Sequence, residues 1–222
     1  MAKVKLNLDA LKEEARTFLT AVEKRPIKDL YGISDGKAVG TYIEHAFHAH
    51  LEKKFTYERG SSASGIDFPA LDVDLKVTSV QQPQSSCPYR DAAQKVYGLG
   101  YHVLVFVYEK SDDDKRKATR MNFLHAVFVD ASRTADYQTT KGINDILDRS
   151  GNRDDVVALL EERNLPLDDI GREKLADRIL QNRPKLGFLT ISNALQWRLQ
   201  YGRVIEKAAE GKTRGVENLL NA

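Results

Sequence analysis

Residues Tyr101–Tyr108 read YHVLVFVY, a run with almost no polar face. β-Branched and aromatic residues fill it, and its length suits a strand better than a helix. A strand that is apolar on both sides must be covered on both sides, so it belongs inside a sheet with helices packed over its faces. The chain offers those helices. Leu6 to Glu23 carries apolar residues at 8, 11, 15, 18, 19 and 22, a helical period that Pro26 ends. A second helix is expected from Gly36 to Lys54, where Val39, Ile43, Phe47 and Leu51 recur every fourth residue and Glu44 sits at the edge of the buried stripe.

The rest of the pattern completes an α/β reading. A hairpin is expected from Ile66 to Val80, a short helix within Tyr89–Leu99 and a further strand at Phe123–Val129. Ser61–Gly65, Gln81–Pro88 and Ser111–Arg120 read as loops, the last with Asp112-Asp113-Asp114 and Lys115-Arg116-Lys117 at a solvated hairpin tip. From Thr139 onward the reading is helical, broken near Gly151, Pro166 and Pro184, with a last long helix from about Ile191 to Ala209. Trp197 and Tyr201, one turn apart on it, read as core or dimer contacts. The division expected is a core over residues 1–138 and a helical region over 139–222.

The hairpin carries the chemistry. Val73, Leu75 and Val77 alternate with Asp72, Asp74, Lys76 and Thr78, the period of a strand with one apolar and one polar face. Asp74 and Lys76 therefore project from the same side. Asp67 can return to them if Phe68–Asp72 makes a bend, for which Pro69 is suited. Two carboxylates hold a hard divalent cation such as Mg²⁺, which keeps room for substrate oxygens and waters. Such an ion polarises a phosphoryl oxygen and acidifies water, and a neighbouring lysine can orient that water or offset charge in the transition state. This is the least equipment needed for metal-dependent phosphodiester hydrolysis. An exposed hairpin with ordinary surface charges would look the same at this level.

Composition adds bounds. The 222 residues are 41% hydrophobic and 30% charged, with a single cysteine, Cys87, so neither an internal disulfide nor a cysteine zinc cluster can form. No apolar run approaches a membrane span and no apolar signal core opens the chain, so a cytoplasmic protein with no membrane partner is expected. The net charge of +2 conceals an asymmetry. Asn144–Ile170 holds eight acids against three bases, and Gly171–Gly215 ten bases against four acids. A basic segment of this kind suits a polyanion, although two helical faces of opposite sign packed together would also account for it.

With these residues in place, the chain resembles the PD-(D/E)xK nuclease core of many type II restriction endonucleases. Its seven-residue spacing is similar to the branch containing the MutH mismatch-repair nicking endonuclease, whose motif reads D-F-x-x-L-x-V-E-L-K-T below a G-x-x-x-E helix. Here these become Asp67-Phe68-Pro69-Ala70-Leu71-Asp72-Val73-Asp74-Leu75-Lys76-Val77 and Gly40-Thr41-Tyr42-Ile43-Glu44. The second acid is Asp rather than Glu, and Ile66 stands where a proline is usual. The resemblance spans about Ile33–Tyr108 and implies a restriction-endonuclease-like mixed sheet flanked by helices. It further implies Mg²⁺ on Asp67 and Asp74, Lys76 activating water and Glu44 in support. A Mg²⁺-dependent type II restriction endonuclease acting on double-stranded DNA follows, as a homodimer, because cutting both strands takes two sites. A monomeric strand-nicking repair enzyme and a non-catalytic DNA-binding module are the alternatives.

Residues expected to meet DNA are the donor-rich Gln81, Gln82, Gln84, Ser85 and Ser86 beside the active strand. Gln94 joins them, since related nucleases use a glutamine on the helix after the hairpin, with Lys95 as the nearest counterpart of a further lysine in the MutH-like branch. Arg183, Lys185, Arg198, Arg203, Lys207, Lys212 and Arg214 are phosphate-contact candidates in the helical region. Glu44 and His48, one helical turn apart, could share an ion, while His45 and His50 project away from His48, and exposed or half-buried helix histidines are the ordinary case.

Overall fold

The structure, a computed structural model, describes residues 3–60, 65–87, 90–192 and 197–220. In chain order the elements begin with β1 (Val4–Lys5), α1 (Leu8–Glu23), α2 (Gly36–Leu51), β2 (Phe55–Thr56), β3 (Val73–Ser79) and β4 (Gln84–Cys87). Then come α3 (Gln94–Tyr97), β5 (His102–Asp113), β6 (Ala118–Val129), α4 (Tyr137–Asp148), α5 (Arg153–Glu162) and α6 (Asp169–Gln181). β7 (Thr190–Ile191), β8 (Trp197–Gln200), α7 (Gly202–Glu210) and β9 (Val216–Asn218) follow. The class is α/β, with a multi-strand mixed sheet flanked by helices, as expected. No helix of the described residues is long and apolar enough to cross a membrane.

The chain forms two compact units, one of residues 1–84, 103–128 and 205–222, the other of residues 85–102 and 129–204. In the first, a four-stranded sheet runs in the order β3-β5-β6-β9. Leu104, Phe106 and Tyr108 of β5 join Leu11, Phe18 and Leu19 of α1 and Ile43, Phe47 and Leu51 of α2 in one core. Val103, Val105 and Val107, pointing the other way, are equally buried, so the YHVLVFVY run is covered on both faces. Asn7 caps α1 by accepting from the Ala10 amide at 2.8 Å, and Asp35 caps α2 by accepting from the Lys37 and Ala38 amides. Glu14 fastens the two helices: its carboxylate accepts from Lys54 at 2.8 Å and lies 2.6 Å from His50 Nε2.

Gly40 sets how closely α2 lies on the active strand. A β-carbon there would stand 3.3 Å from the Val77 carbonyl oxygen and 3.8 Å from the Val77 β-carbon. Gly40→Val is expected to push α2 away from β3, costing about 1–3 kcal/mol in denaturant unfolding. Unchanged stability would show that the close approach is incidental.

In the second unit, a three-stranded sheet in the order β4-β8-β7 accompanies α3–α6, whose core gathers Ala92, Val96, Ile143, Val156, Leu160 and Ile179. Asp136 anchors it: one oxygen accepts from the Thr139 amide at 2.8 Å and its hydroxyl at 2.7 Å, the other from the Ile191 amide at 2.9 Å.

Several expectations are corrected. Of the helix expected over Ile191–Ala209, the part from Gly202 is helical in α7, whereas Ile191 ends β7 and Trp197–Gln200 form β8; residues 193–196 lie outside the described residues. Leu199 and Tyr201 are buried while Arg198 and Gln200 are exposed, a two-residue alternation that fits a strand. Gln81–Pro88 is not wholly a loop, because Gln84–Cys87 is drawn into strand pairing with β8. The charged stretch 111–120 is mostly strand, its ends held together by Asp112, which accepts from Lys110 at 2.6 Å and Thr119 Oγ1 at 2.5 Å. The two units are interleaved rather than divided at 138/139, since β9 returns beside β6 and the Leu219 amide donates to the Ala126 carbonyl at 2.7 Å. The loop expected at Ser61–Gly65 lies, except for Gly65, outside the described residues, as do Pro88, Tyr89 and the Trp197 side chain.

Candidate active site

The bend after Asp67 is a single 3₁₀ turn over Pro69–Leu71, closed by Asp72 in the left-handed region at φ 51°. Aspartate tolerates that conformation better than most residues, and proline suits the first helical position. A bridge between Phe68 and Val73 pins the two arms. Asp67 is thereby returned to the active strand, where its Oδ2 accepts from the Leu75 amide at 2.7 Å. Gly60 closes the far side by donating to the Asp67 carbonyl at 2.8 Å. A β-carbon at Gly60 would fall 1.8 Å from the Ile66 carbonyl oxygen, so no larger residue fits without rearrangement.

Asp74 and Lys76 share the polar face of β3. Asp74 is 2% exposed, and Lys76 Nζ lies 2.8 Å from its Oδ2. Lys76 is thus the counter-charge to this buried oxygen. Burial lifts the Asp74 carboxyl to about 7; Lys76 pulls it down and the adjacent Asp67 pushes it up. Glu44, half-buried on α2, is also raised, first by burial and then by repulsion from Asp67, against the attraction of Lys76. All four residues singled out by the motif thus act on one another within the first unit.

The cluster contains a fifth member. Ligand atoms of Glu44, His48 and Asp67 lie within 4.8 Å of one another. His48 is 1% exposed rather than on an open helix face. Its ring stacks on Phe68 at 4.8 Å between centroids and on Tyr57 at 5.9 Å, and Nδ1 is 2.9 Å from the Tyr57 hydroxyl. Burial, then Arg59, lowers His48 to about 4. Tyr57 and Arg59 escaped the sequence reading; their only signal was the aromatic pair Phe55 and Tyr57 two residues apart. His45 is exposed and His50 is engaged by Glu14, as their helical positions implied.

The donor set suits a divalent cation. Three carboxylates share one lysine, whose Nζ lies 2.8 Å from Asp74 Oδ2, and the excess of buried negative charge is unfavourable until a further counter-charge arrives. Hard oxygen ligands of this kind match Mg²⁺.

The residues expected at DNA are distributed differently. Gln81 and Gln82 are exposed at the turn after β3, while Thr78 Oγ1 donates to the Gln82 carbonyl at 3.2 Å and accepts from the Gln84 amide at 3.2 Å. Ser86 is exposed, and Ser85 shares a 2.5 Å hydrogen bond with the Tyr201 hydroxyl. Gln94 is committed to its own loop: Oε1 accepts from the Arg90 and Asp91 amides, and Nε2 donates to the Leu99 carbonyl at 3.1 Å. Lys95 is 3% exposed, too deep to present its amine to a phosphate, and burial lowers its pKa. Arg198 is exposed on β8, whereas the Arg203 guanidinium lies 3.6 Å from the Tyr137 ring centre. Arg183 pairs with Asp148 at 2.7 Å and Arg153 with Asp177 at 2.7 Å, so oppositely charged helical segments do meet. Lys207 pairs with Glu210 at 2.6 Å.

Comparison with known proteins supports a type II restriction enzyme. The model of the type II restriction enzyme NspV family matches residues 5–218. The type II restriction enzyme NspV of Nostoc sp. (strain ATCC 29411 / PCC 7524) is 55% identical over 205 residues, 92% of this chain and 93% of its own length. No solved structure matches the chain. With the family model spanning nearly the whole sequence, the chain belongs to the NspV family of type II restriction enzymes.

Proposed function

We propose that this site-specific deoxyribonuclease is a Mg²⁺-dependent PD-(D/E)xK enzyme that cuts both strands of duplex DNA at a short specific sequence. The observation that carries the reading is the meeting of Asp67, Asp74 and Lys76 on one hairpin, with the buried Asp74 carboxyl 2.8 Å from Lys76 Nζ and Asp67 returned by the bend to the Leu75 amide. Asp67 and Asp74 would hold Mg²⁺, which when bound supplies Lewis-acid stabilisation of the scissile phosphate. Lys76, still 21% exposed, reaches the solvent side of the site and orients the attacking water. Its charge also offsets that gathering on the phosphorane. Glu44 adds negative potential above the pair and a further acceptor for waters of the site.

Gln81, Gln82, Ser86 and Arg198 have the exposure required of DNA contacts, and Gln84, Ser85 and Arg203 would act by positioning their neighbours. Recognition of a palindrome by a homodimer is the simplest way to bring two such sites to two strands. The test is incubation of the purified protein with unmethylated phage DNA and Mg²⁺. Discrete double-strand fragments, lost in EDTA, are expected. Nicked circles alone would contradict two-strand cutting, and no cleavage of any DNA would contradict the whole reading.

Cation binding should be proton-linked. Asp74 titrates near 3.8 in an unfolded chain and near 7 in the fold, so the cation-free folded state holds that proton more tightly. The stability this contributes is full below the unfolded value and is lost as pH rises through about 7. A cation needs the carboxylate form, so Mg²⁺ affinity should climb with pH up to about 7, with proton release on binding near pH 6 and little near pH 8. Calorimetry in buffers of different ionisation enthalpy measures this directly; a pH-independent affinity would remove Asp74 from the cation site.

A further inference from the structure

We propose that Glu44, His48 and Asp67 form a second cation site, with one nitrogen ligand, beside the oxygen site of Asp67 and Asp74. The inference deepens the endonuclease reading and rests on it for the shared carboxylate of Asp67. Glu44 and His48 are four residues apart on α2, the spacing that stacks two side chains on one helix face. Asp67 comes to that face from the bend, and ligand atoms of all three fall within 4.8 Å of one another. Ligands ~2.1 Å from one ion stand ~3.0–3.6 Å apart, so closure takes on the order of an ångström of side-chain movement.

The surroundings of His48 prepare it as a ligand. The Tyr57 hydroxyl donates to the His48 carbonyl oxygen at 3.3 Å, and the same hydroxyl is 2.9 Å from His48 Nδ1. A phenol has one proton to give. With that proton on the carbonyl, Nδ1–H becomes the donor to the Tyr57 oxygen and Nε2 keeps its lone pair. An imidazole with one nitrogen donating to a neighbour and the other carrying a lone pair is the usual arrangement of a metal-bound histidine. Stacking on Phe68 and Tyr57 then fixes the ring plane. Asp67 is likewise oriented, with Oδ2 accepting from the Leu75 amide. Asp74, 2% exposed and 2.8 Å from Lys76 Nζ, lies beside the same Asp67 and belongs to the oxygen site. The two sites differ in chemistry. The all-oxygen pair suits Mg²⁺, whereas an imidazole shifts preference toward Mn²⁺, Co²⁺ or Ni²⁺.

The test loads the full-length, cation-free protein with Mn²⁺, without DNA, and records electron spin-echo modulation together with calorimetric affinity. The wild type should show coupling to an imidazole nitrogen. His48→Gln should abolish that coupling and weaken one class of Mn²⁺ sites by at least ~10-fold, while the exposed His45→Gln retains both. Should His48→Gln fail to melt cooperatively, Glu44→Gln leaves the aromatic stack intact and should lose the nitrogen-coupled ion. A wild type without nitrogen coupling, or coupling that survives these variants, overturns the inference. The two readings separate cleanly. Mg²⁺-dependent DNA cleavage without nitrogen coupling would sink this site alone, and nitrogen-coupled Mn²⁺ without cleavage of any DNA would sink the endonuclease reading alone.

Discussion

Asp74→Asn should lose cleavage by at least about 10³-fold, the scale on which removal of a single electrostatic group from a preorganised site is felt. The amide keeps the shape of the carboxylate but cannot neutralise a cation, and its NH₂ would face the ion or Lys76. Because Asp74 is 2% exposed, the substitution also changes stability in a direction that depends on pH. Near pH 5 the wild-type carboxyl, raised to about 7, is largely protonated, so the cation-free variant and wild type should melt alike. Near pH 8 the wild type carries a buried negative charge beside Asp67, and the variant should melt at the same temperature or higher. Single-turnover cleavage and thermal melting in EDTA measure the two effects separately. A variant that is inactive because it is unfolded would melt below wild type at both pH values, and that result would contradict the account.

Lys76→Ala should lower cleavage by at least about 10²-fold, in the range for removal of a positioned acid–base group. It should also change the pH profile. Lys76 is the main influence holding the Asp74 carboxyl down against its burial, so without it Asp74 ionises at higher pH and the rising limb of activity moves upward. Lys76→Arg keeps the charge and should preserve more of the profile than of the rate, because a planar guanidinium cannot give up a proton or occupy the space of an ammonium. A Lys76→Ala enzyme with the wild-type rate and profile would leave the lysine as a mere counter-ion.

Much of the site was legible because it is built on the shortest periods in the chain. The two-residue alternation around Asp74 put Asp74 and Lys76 on one face without any tertiary knowledge, and Pro69 marked the bend that returns Asp67. The four-residue spacing of α2 placed Glu44 at the edge of a buried stripe. His48 was harder. Its helical phase was evident, but its burial is decided by Phe68 and Tyr57, which arrive from a different segment. The same limit applies to fold. β4 is Gln-Ser-Ser-Cys, a sequence with little strand preference, made a strand by pairing with β8. β8 itself carried a signal that was overridden: Leu199 and Tyr201 alternate with Arg198 and Gln200, yet the helical neighbourhood suggested a continued helix. β9 is three residues long, too short to announce an edge strand that returns from the C-terminal end. Lys95 shows the reverse failure, a basic residue next to the chemistry in sequence whose amine is buried.

The chemistry proposed for the Asp67–Asp74–Lys76 cluster is the breaking of the phosphodiester bond. The measurement is cleavage of an end-labelled duplex containing the cut site by wild type and Asp74→Ala in Mg²⁺, with DNA binding followed in parallel by gel shift in Ca²⁺. Asp74→Ala should retain specific binding and form no labelled product while wild type cuts. Cutting by Asp74→Ala at the wild-type rate and position would contradict this expectation and put the chemistry elsewhere in the molecule.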